Sequence, residues 1–223
     1  MDIQEIFGIE FGKLPYTVKY TSNSDSQALL YVAASVRTHQ GARLLGLNVK
    51  LDGKLVATPT VWTNEPGVSR PLVAELARIP PARGERTLTL EAMNDATIVD
   101  RLDYACGTVL YCGFIEPFVW RFKGPLPQTA TFKSQASGIP GVLYFAGSGF
   151  MQTPQVCGLS VQLDGVEVAR SQIMPSTGNS HFAFPPQFLP VQLKAREYKV
   201  SVVPTVAGVS TDQNDTFEVA IFY

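Results

Sequence analysis

The chain has 223 residues, of which 45% are hydrophobic and 17% are charged, and its formal net charge is −1. This composition is typical of a globular protein, and the near-neutral charge gives no electrostatic reason to expect nucleic acid or an anionic membrane as a partner. No apolar run is long enough to cross a bilayer, and residues 1–5 lack a basic leader, so neither membrane insertion nor a secretory signal is expected.

Almost all local signals along the chain predict strands. Only residues 2–11 and 72–79 have a spacing compatible with short helical turns. Residues 47–51 then lead through Asp52-Gly53 into residues 54–57, which predicts a β-hairpin with a type I′ turn because both central residues must tolerate positive φ.

A second hairpin of the same form is predicted at residues 158–169. Residues 158–163 alternate apolar and polar side chains, Asp164-Gly165 supplies the turn, and residues 166–169 return. The 16 prolines and 18 glycines are spread through the chain, where they favour short strands and would break long helices. Further predicted strands are residues 87–92, 109–111, 198–203 and 217–223.

The same elements recur at a constant offset of 112 positions. This offset relates Leu51 to Leu163, Pro15 to Pro127 and Tyr111 to Tyr223, the last residue. The recurrence predicts one structural unit used twice, with the first copy at residues 1–112 and the second at residues 113–223. The predicted fold is therefore all-β, with two tandem antiparallel β-sandwich (jelly-roll) domains related by internal duplication.

An Asp-x-x-Asp pair precedes the last predicted strand of each copy, as Asp100/Asp103 and as Asp212/Asp215. Oxygen-rich loops can bind calcium, but calcium takes six to eight ligands and each copy offers only two carboxylates here. The favoured interpretation is that these residues shape the turn by accepting hydrogen bonds from their own backbone.

His181 is the residue most open to a chemical interpretation. A triad of Ser148, His181 and Asp212 is conceivable, but Ser148 lacks the Gly-x-Ser-x-Gly context of a nucleophile. No second His or Cys stands at zinc-ligand spacing from His181 or from His39. We therefore expect no catalytic residue, no metal and no cofactor, and interpret His181 as a loop residue whose ring is hydrogen-bonded.

The three cysteines, Cys106, Cys112 and Cys157, are odd in number and do not occupy matching positions in the two copies. They cannot form a repeated disulfide framework, and Cys157 has no basic neighbour that would lower its pKa. Buried free thiols are the expected outcome.

Aromatic residues of the second copy form two groups. Trp120 belongs to an alternating run, whereas Phe182 and Phe184 follow His181. Exposed aromatics can stack on sugars or anchor a protein interface, and the alternative is burial in the core or at the boundary between the copies. The possible ligand or interface residues are thus His181, Phe182, Phe184 and Trp120. The remaining aromatics of the two groups are Phe114, Phe118, Phe122 and Phe188.

The second copy resembles a known family of compact jelly-roll modules. The strand at residues 142–145, the turn at 163–166, the loop at 178–181 and the end at 212–219 are similar to bacterial and phage modules with the tumour-necrosis-factor and complement globular-head fold. The first copy is more loosely similar, since Ser69-Arg70 stands at the position of His181-Phe182. The resemblance implies a module that trimerises and serves as a head, cap or decoration.

These observations predict a non-catalytic structural or attachment protein, homotrimeric, with other structural proteins as partners. A phage virion is the expected setting, as a tail, baseplate or capsid decoration component, and an intracellular assembly is equally compatible with the absence of a signal. The alternative is a lectin-like module that binds a glycan. Residues 113–223 hold 7 Lys/Arg and 7 Asp/Glu against 11 and 12 in residues 1–112, so either a partner covers more of the second copy or the copies have drifted apart.

Overall fold

The structure is a computed structural model that describes residues 2–8, 12–112, 117–135, 138, 140–205 and 209–223. The regular elements in these ranges are all β-strands. The described residues contain no helix long and apolar enough to span a membrane. The chain forms two compact units, Met1–Glu116 and Pro117–Tyr223, here called unit 1 and unit 2. The predicted boundary lies between residues 112 and 113, and residues 113–116 lie outside the described ranges.

Unit 1 is a sandwich of two antiparallel sheets. In the first sheet the order is β1-β10-β3, with β7 and β8 both paired to β3, and in the second it is β2-β9-β4, with β5 and β6 both paired to β4. The strands are β1 (Asp2–Phe7), β2 (Tyr16–Ser22), β3 (Ala28–Val36), β4 (Arg43–Leu51), β5 (Lys54–Ala57), β6 (Thr60–Thr63), β7 (Arg70–Pro71), β8 (Glu75–Ile79), β9 (Gly84–Ala92) and β10 (Ala105–Tyr111).

Unit 2 has the corresponding pair of four-stranded sheets. Their orders are β11-β18-β13-β16 and β12-β17-β14-β15, so the chain passes between the sheets at nearly every connection, as in a jelly roll. The strands are β11 (Phe118–Lys123), β12 (Gln128–Lys133), β13 (Pro140–Gly149), β14 (Cys157–Leu163), β15 (Val166–Ile173), β16 (Phe182–Gln192), β17 (Glu197–Pro204) and β18 (Thr216–Phe222). The predicted all-β jelly-roll fold is confirmed.

Each unit has its own hydrophobic core, built from alternate residues of facing strands. In unit 1 Val32 of β3 and Val49 of β4 are fully buried, and in unit 2 Phe145 of β13 and Val161 of β14 are fully buried. Side chains of a strand point alternately to its two faces, so the period-2 patterns of the sequence supply one core-facing row per strand. This burial is the main stabilising contribution to each sandwich.

Both predicted hairpin turns have the backbone that their sequence requires. Asp52 and Gly53 have φ of 50° and 79°, and Asp164 and Gly165 have φ of 51° and 83°. Positive φ at both central residues is the mark of a type I′ turn, whose twist matches that of the flanking strands. The two turns are confirmed, and they fix the register of β4 against β5 and of β14 against β15.

Other details also recur at the same offset in the two units. The Leu14-Pro15 and Leu126-Pro127 peptide bonds are both cis. The hydroxyls of Ser22 and Tyr111 lie 3.1 Å apart in unit 1, and those of Ser134 and Tyr223 lie 3.1 Å apart in unit 2. The two units therefore share side-chain contacts as well as strand order.

The two short helical turns suggested by the sequence are wrong for the residues that the structure describes, and residues 9–11 of the first lie outside them. Asp2–Phe7 forms β1 and pairs with β10, and Glu75–Ile79 forms β8 and pairs with β3. Each segment lies beside a strand of the first sheet, and pairing with that strand gives its backbone N–H and C=O groups hydrogen-bond partners. These hydrogen bonds outweigh a weak helical spacing in the local sequence, because strand formation depends on the neighbouring strands.

Candidate functional site

The turn before the last strand of unit 1 is closed by two aspartates. Asp103 accepts hydrogen bonds from the Ser35 hydroxyl at 2.9 Å and from the backbone N–H of Asp100 at 2.9 Å. Asp100 accepts the backbone N–H of Leu102 at 2.7 Å and pairs with Arg37 Nη2 at 2.6 Å. All four carboxylate oxygens are thus engaged within the turn and its immediate neighbours.

The corresponding turn of unit 2 repeats this arrangement. Asp215 accepts hydrogen bonds from the Ser148 hydroxyl at 2.7 Å and from the backbone N–H of Asp212 at 2.8 Å. Asp212 in turn accepts the backbone N–H of Asn214 at 2.7 Å. The predicted role of both Asp-x-x-Asp pairs, shaping the turn that leads into the last strand, is confirmed.

The two units differ in the basic side chain that faces this turn. In unit 2, His181 Nδ1 hydrogen-bonds Asp215 Oδ1 at 2.8 Å, and His181 Nε2 lies 3.7 Å from Asp212 Oδ2. In unit 1 the basic partner is Arg37. Phe150 takes its position in unit 2, because Arg37 forms an isolated β-bridge with Ile98 and Phe150 forms the same bridge with Ser210, 112 residues after Ile98. The Phe150 ring packs on the imidazole with centroids 4.5 Å apart.

A tight loop presents His181 to the turn. Asn179 has a φ of 59°, and its backbone N–H donates to the carbonyl of Met151 at 2.6 Å. Gly178 lies so close to the Gln152 carbonyl that a Cβ would collide with it. These backbone constraints place His181 in the interior, where its exposure is only 3% and that of Asp215 is 0%.

The geometry does not match a Ser–His–Asp triad. In a triad the imidazole lies between the serine and the carboxylate and takes the hydroxyl proton. Here the carboxylate of Asp215 lies between Ser148 and His181, so the hydroxyl proton points to the carboxylate. Ser148 is also 1% exposed and accepts the backbone N–H of Thr216 at 3.1 Å.

Within the described residues, His181, Asp212 and Asp215 form a group that could hold a metal ion by its geometry. Their potential ligand atoms lie within 4.8 Å of one another. However, the oxygens of Asp215 already accept hydrogen bonds from Ser148, His181 and the Asp212 backbone. A structural zinc ion needs four ligands, and three groups already hydrogen-bonded to one another fall short of that set. We assign the group a role in closing the turn.

Ser148 was considered in the sequence with Asp212, whereas its partner in the structure is Asp215. The repeat itself could have identified this pair. Ser35 and Ser148 are 113 residues apart, whereas Asp103 and Asp215 are 112 residues apart. The one extra residue is the same displacement that relates residues 28–33 to residues 141–146. Ser35 and Ser148 are therefore equivalent, and both face the second aspartate of the turn.

The aromatic candidates do not form one site. Trp120 lies on β11 and Phe182 on β16, which are the opposite edge strands of one sheet. The Trp120 ring packs on Phe132 with centroids 5.1 Å apart, and Phe184 is buried in the core of unit 2. Phe182 is half-buried beside His181. The structure thus keeps His181 and Phe182 together and places Trp120 elsewhere, and Phe114 lies outside the described residues.

The cysteines are free thiols. Cys112 and Cys157 are buried, as expected, and burial raises the pKa of each thiol to about 11. Cys106 is half-buried, and burial raises the pKa of its thiol as well. At neutral pH these groups are protonated and therefore weak nucleophiles.

No family model matches the chain, and no curated protein matches it. Among solved structures, the chain is similar to PNGF-II, with 8% identity, a TM-score of 0.42, and coverage of 98% of this chain and 61% of that one. It is also similar to dimeric latent PorU of Porphyromonas gingivalis, with 8% identity, a TM-score of 0.37, and coverage of 97% of this chain and 24% of that one. A third is the tandem CBM22-1–CBM22-2 domain of Xyn10C from Paenibacillus barcinonensis, with 9% identity, a TM-score of 0.30, and coverage of 92% and 82%. The chain therefore spans less than two thirds of the first two proteins, and at these scores the likenesses assign no function.

Proposed function

We propose that this chain is a non-catalytic structural or attachment protein built from two jelly rolls that arose by internal duplication. The observation that carries the proposal is the closed polar network of Ser148, Asp215 and His181. Its hydroxyl proton is directed at a carboxylate, and its members are almost completely buried. A nucleophile needs access to a substrate, and the burial of Ser148 and of the carboxylate that accepts its proton gives this network none.

The comparison with unit 1 supports the same interpretation. Ser35 and Asp103 form the equivalent hydrogen bond without a histidine, and Arg37 supplies the positive charge by pairing with Asp100. The serine–aspartate contact is thus used in both units to hold the turn before the last strand. A contact that is made in the same way beside two different basic side chains is best explained by a structural role.

We further propose that the chain assembles into homotrimers and, as part of a virion, contacts other structural proteins. Val156 and Met174 support an assembly surface on unit 2. They directly flank the paired residues Cys157 and Ile173 at one end of the β14–β15 pair, and they are 47% and 74% exposed. Adjacent exposed apolar side chains are commonly covered by a partner. The threefold symmetry is what the resemblance to trimeric jelly-roll modules implies.

Light scattering with size-exclusion chromatography tests the assembly. The expected mass is about 73 kDa, three times the 24.3 kDa of one chain. Met174→Glu should reduce this mass, because it places a charge in the proposed interface. Leu102→Glu is the matched control, since Leu102 is 76% exposed in a turn of unit 1. A mass of 24.3 kDa at micromolar concentration would contradict the proposed trimer.

The alternative function, glycan binding, depends on exposed aromatic faces. Sugar rings stack on a free aromatic surface, whereas Phe184 is buried and Trp120 packs on Phe132. These placements favour the structural role. A glycan array on which the purified protein binds no sugar would agree with it, and specific binding abolished by Phe182→Ala would support the alternative.

A further inference from the structure

Unit 2 contains a cleft that the sequence patterns do not reveal. It lies between the β14–β15 hairpin and the end of β16, and its volume is about 490 Å³. This size is within the usual range for small-molecule sites. Its accessible apolar lining comprises Val166, Val168 and Pro190, and its charged groups are Asp164, Lys194 and Arg196.

The corresponding hairpin turn of unit 1 is held by a buried arginine side chain, that of Arg86. Arg86 stands where Tyr198 stands in unit 2, because Tyr20 pairs with Arg86 as Phe132 pairs with Tyr198. The Arg86 guanidinium donates to Asp52 at 2.6 Å and to the Pro80 carbonyl at 3.2 Å. It thus bridges the hairpin turn and the end of β8, and only 8% of its side chain is exposed.

In unit 2 the arginine is displaced from the interior to the rim. Arg196 pairs with Asp164 Oδ2 at 2.6 Å, lies over the Tyr198 ring at 3.8 Å and is 52% exposed. Tyr198 itself takes the buried position of Arg86, and its hydroxyl accepts the backbone N–H of Lys194 at 2.9 Å. The Asp164 turn is still held by a guanidinium, and the cleft lies beside this pair, between the hairpin and β16.

Lys194 gives the cleft an excess of positive charge. Its side chain is exposed, and within the described part of the chain its ammonium makes no ion pair. Among the residues that line the cleft, Lys194 and Arg196 are the cations and Asp164 is the carboxylate. An anionic group would pair with Lys194, and an apolar chain attached to it would cover Val166, Val168 and Pro190.

We propose that this cleft binds a small organic anion with an apolar body, of the kind represented by a medium-chain carboxylate. Lys194 would bind the carboxylate, while Val166, Val168 and Pro190 would contact the chain. The site lies at the turn end of the β14–β15 hairpin, whereas the proposed assembly surface lies at the other end of this strand pair.

Methyl NMR of the full chain titrated with octanoate tests the proposal. The methyl signals of Val166 and Val168 should shift, whereas that of Val56, the equivalent of Val168 in unit 1, should not, since Ala82 stands there at the position of Lys194. Octanamide, which lacks the charge, should bind more weakly. Lys194→Ala should weaken octanoate binding about tenfold, and Lys123→Ala, an exposed lysine on β11, should leave it unchanged.

Three results would overturn the site. The first is no shift at millimolar octanoate, and the second is equal shifts in both units, which would indicate nonspecific binding. The third is equal affinity for octanoate and octanamide, which would remove the anionic part of the inference. Lys194 is exposed, so its replacement should not prevent folding, and the amide spectrum of the variant checks this.

Discussion

His181 and its unit 1 counterpart, Ser69, show how one position can be used in two ways. Ser69 is exposed, whereas His181 is 3% exposed and hydrogen-bonded to a fully buried carboxylate. A buried carboxylate is costly unless its oxygens are engaged. His181 therefore contributes to stability by engaging Asp215, and it fixes the end of its loop against the turn.

Replacing His181 should destabilise unit 2. We expect His181→Ser to lower the free energy of unfolding by about 1.5–3 kcal/mol, the usual value of a hydrogen bond to a charged group. The measurement is urea unfolding followed by fluorescence. His39→Ser is the control, because His39 is exposed and its replacement should change stability by less than about 0.5 kcal/mol. Equal effects of the two variants would contradict the structural role of His181.

The thiols should be slow to react in the folded protein. Burial raises the pKa of Cys112 and Cys157 to about 11, so at pH 8 both are protonated and shielded. We expect a thiol reagent to modify Cys106 first and the other two only after unfolding. Mass spectrometry of the adducts identifies the order. Rapid modification of Cys157 in the folded state would contradict its burial.

Asp164 should make stability depend on acid pH. The backbone N–H of Lys199 and the Arg196 guanidinium hold the pKa of this carboxyl below its ordinary value of 3.8. A lowered pKa stabilises the folded state above the unfolded value, and this contribution is lost as the pH falls below about 4. Asp164→Asn should therefore reduce the acid-dependent loss of stability, measured by thermal unfolding between neutral pH and pH 3. An unchanged pH dependence would contradict this assignment.

Among the elements, the two hairpins were predictable and the strand-pairing partners were not. Asp-Gly between alternating runs requires a particular turn, and the turn determines the hairpin register. By contrast, β1 and β8 are strands because β10 and β3 lie beside them, which no local window can reveal. The sheet orders depend on contacts between distant residues, so they follow from the jelly-roll assignment and not from any one motif.

The hairpin glycines should be sensitive to a methyl group. Gly53 and Gly165 have φ of 79° and 83°, and a Cβ added at either residue would meet no other heavy atom within 4 Å. Gly165→Ala should therefore cost about 1–2 kcal/mol through backbone strain alone, and Gly53→Ala should cost the same in unit 1. Gly41→Ala is the control, since Gly41 has no left-handed φ and a Cβ there would only touch the Asn64 carbonyl at 3.9 Å. Thermal unfolding of the three variants measures the differences, and an equal loss of stability in all three would contradict the role of the turn backbone.

At the scale of the whole molecule, the repeat predicted the architecture far better than the site. The constant offset anticipated the matching turns, and the strand orders of the two units agree with it. The partner of Ser148 and the cleft beside Lys194 escaped prediction for one reason. Both depend on which side chains approach one another in three dimensions, and no local window of the sequence shows this.

The central claim is that this chain is an assembling structural protein, and particle images of the purified protein test it most directly. Electron microscopy should show closed particles with threefold symmetry, each containing six similar units from three chains. Images that show only single chains at micromolar concentration, where light scattering would give 24.3 kDa, would contradict the claim.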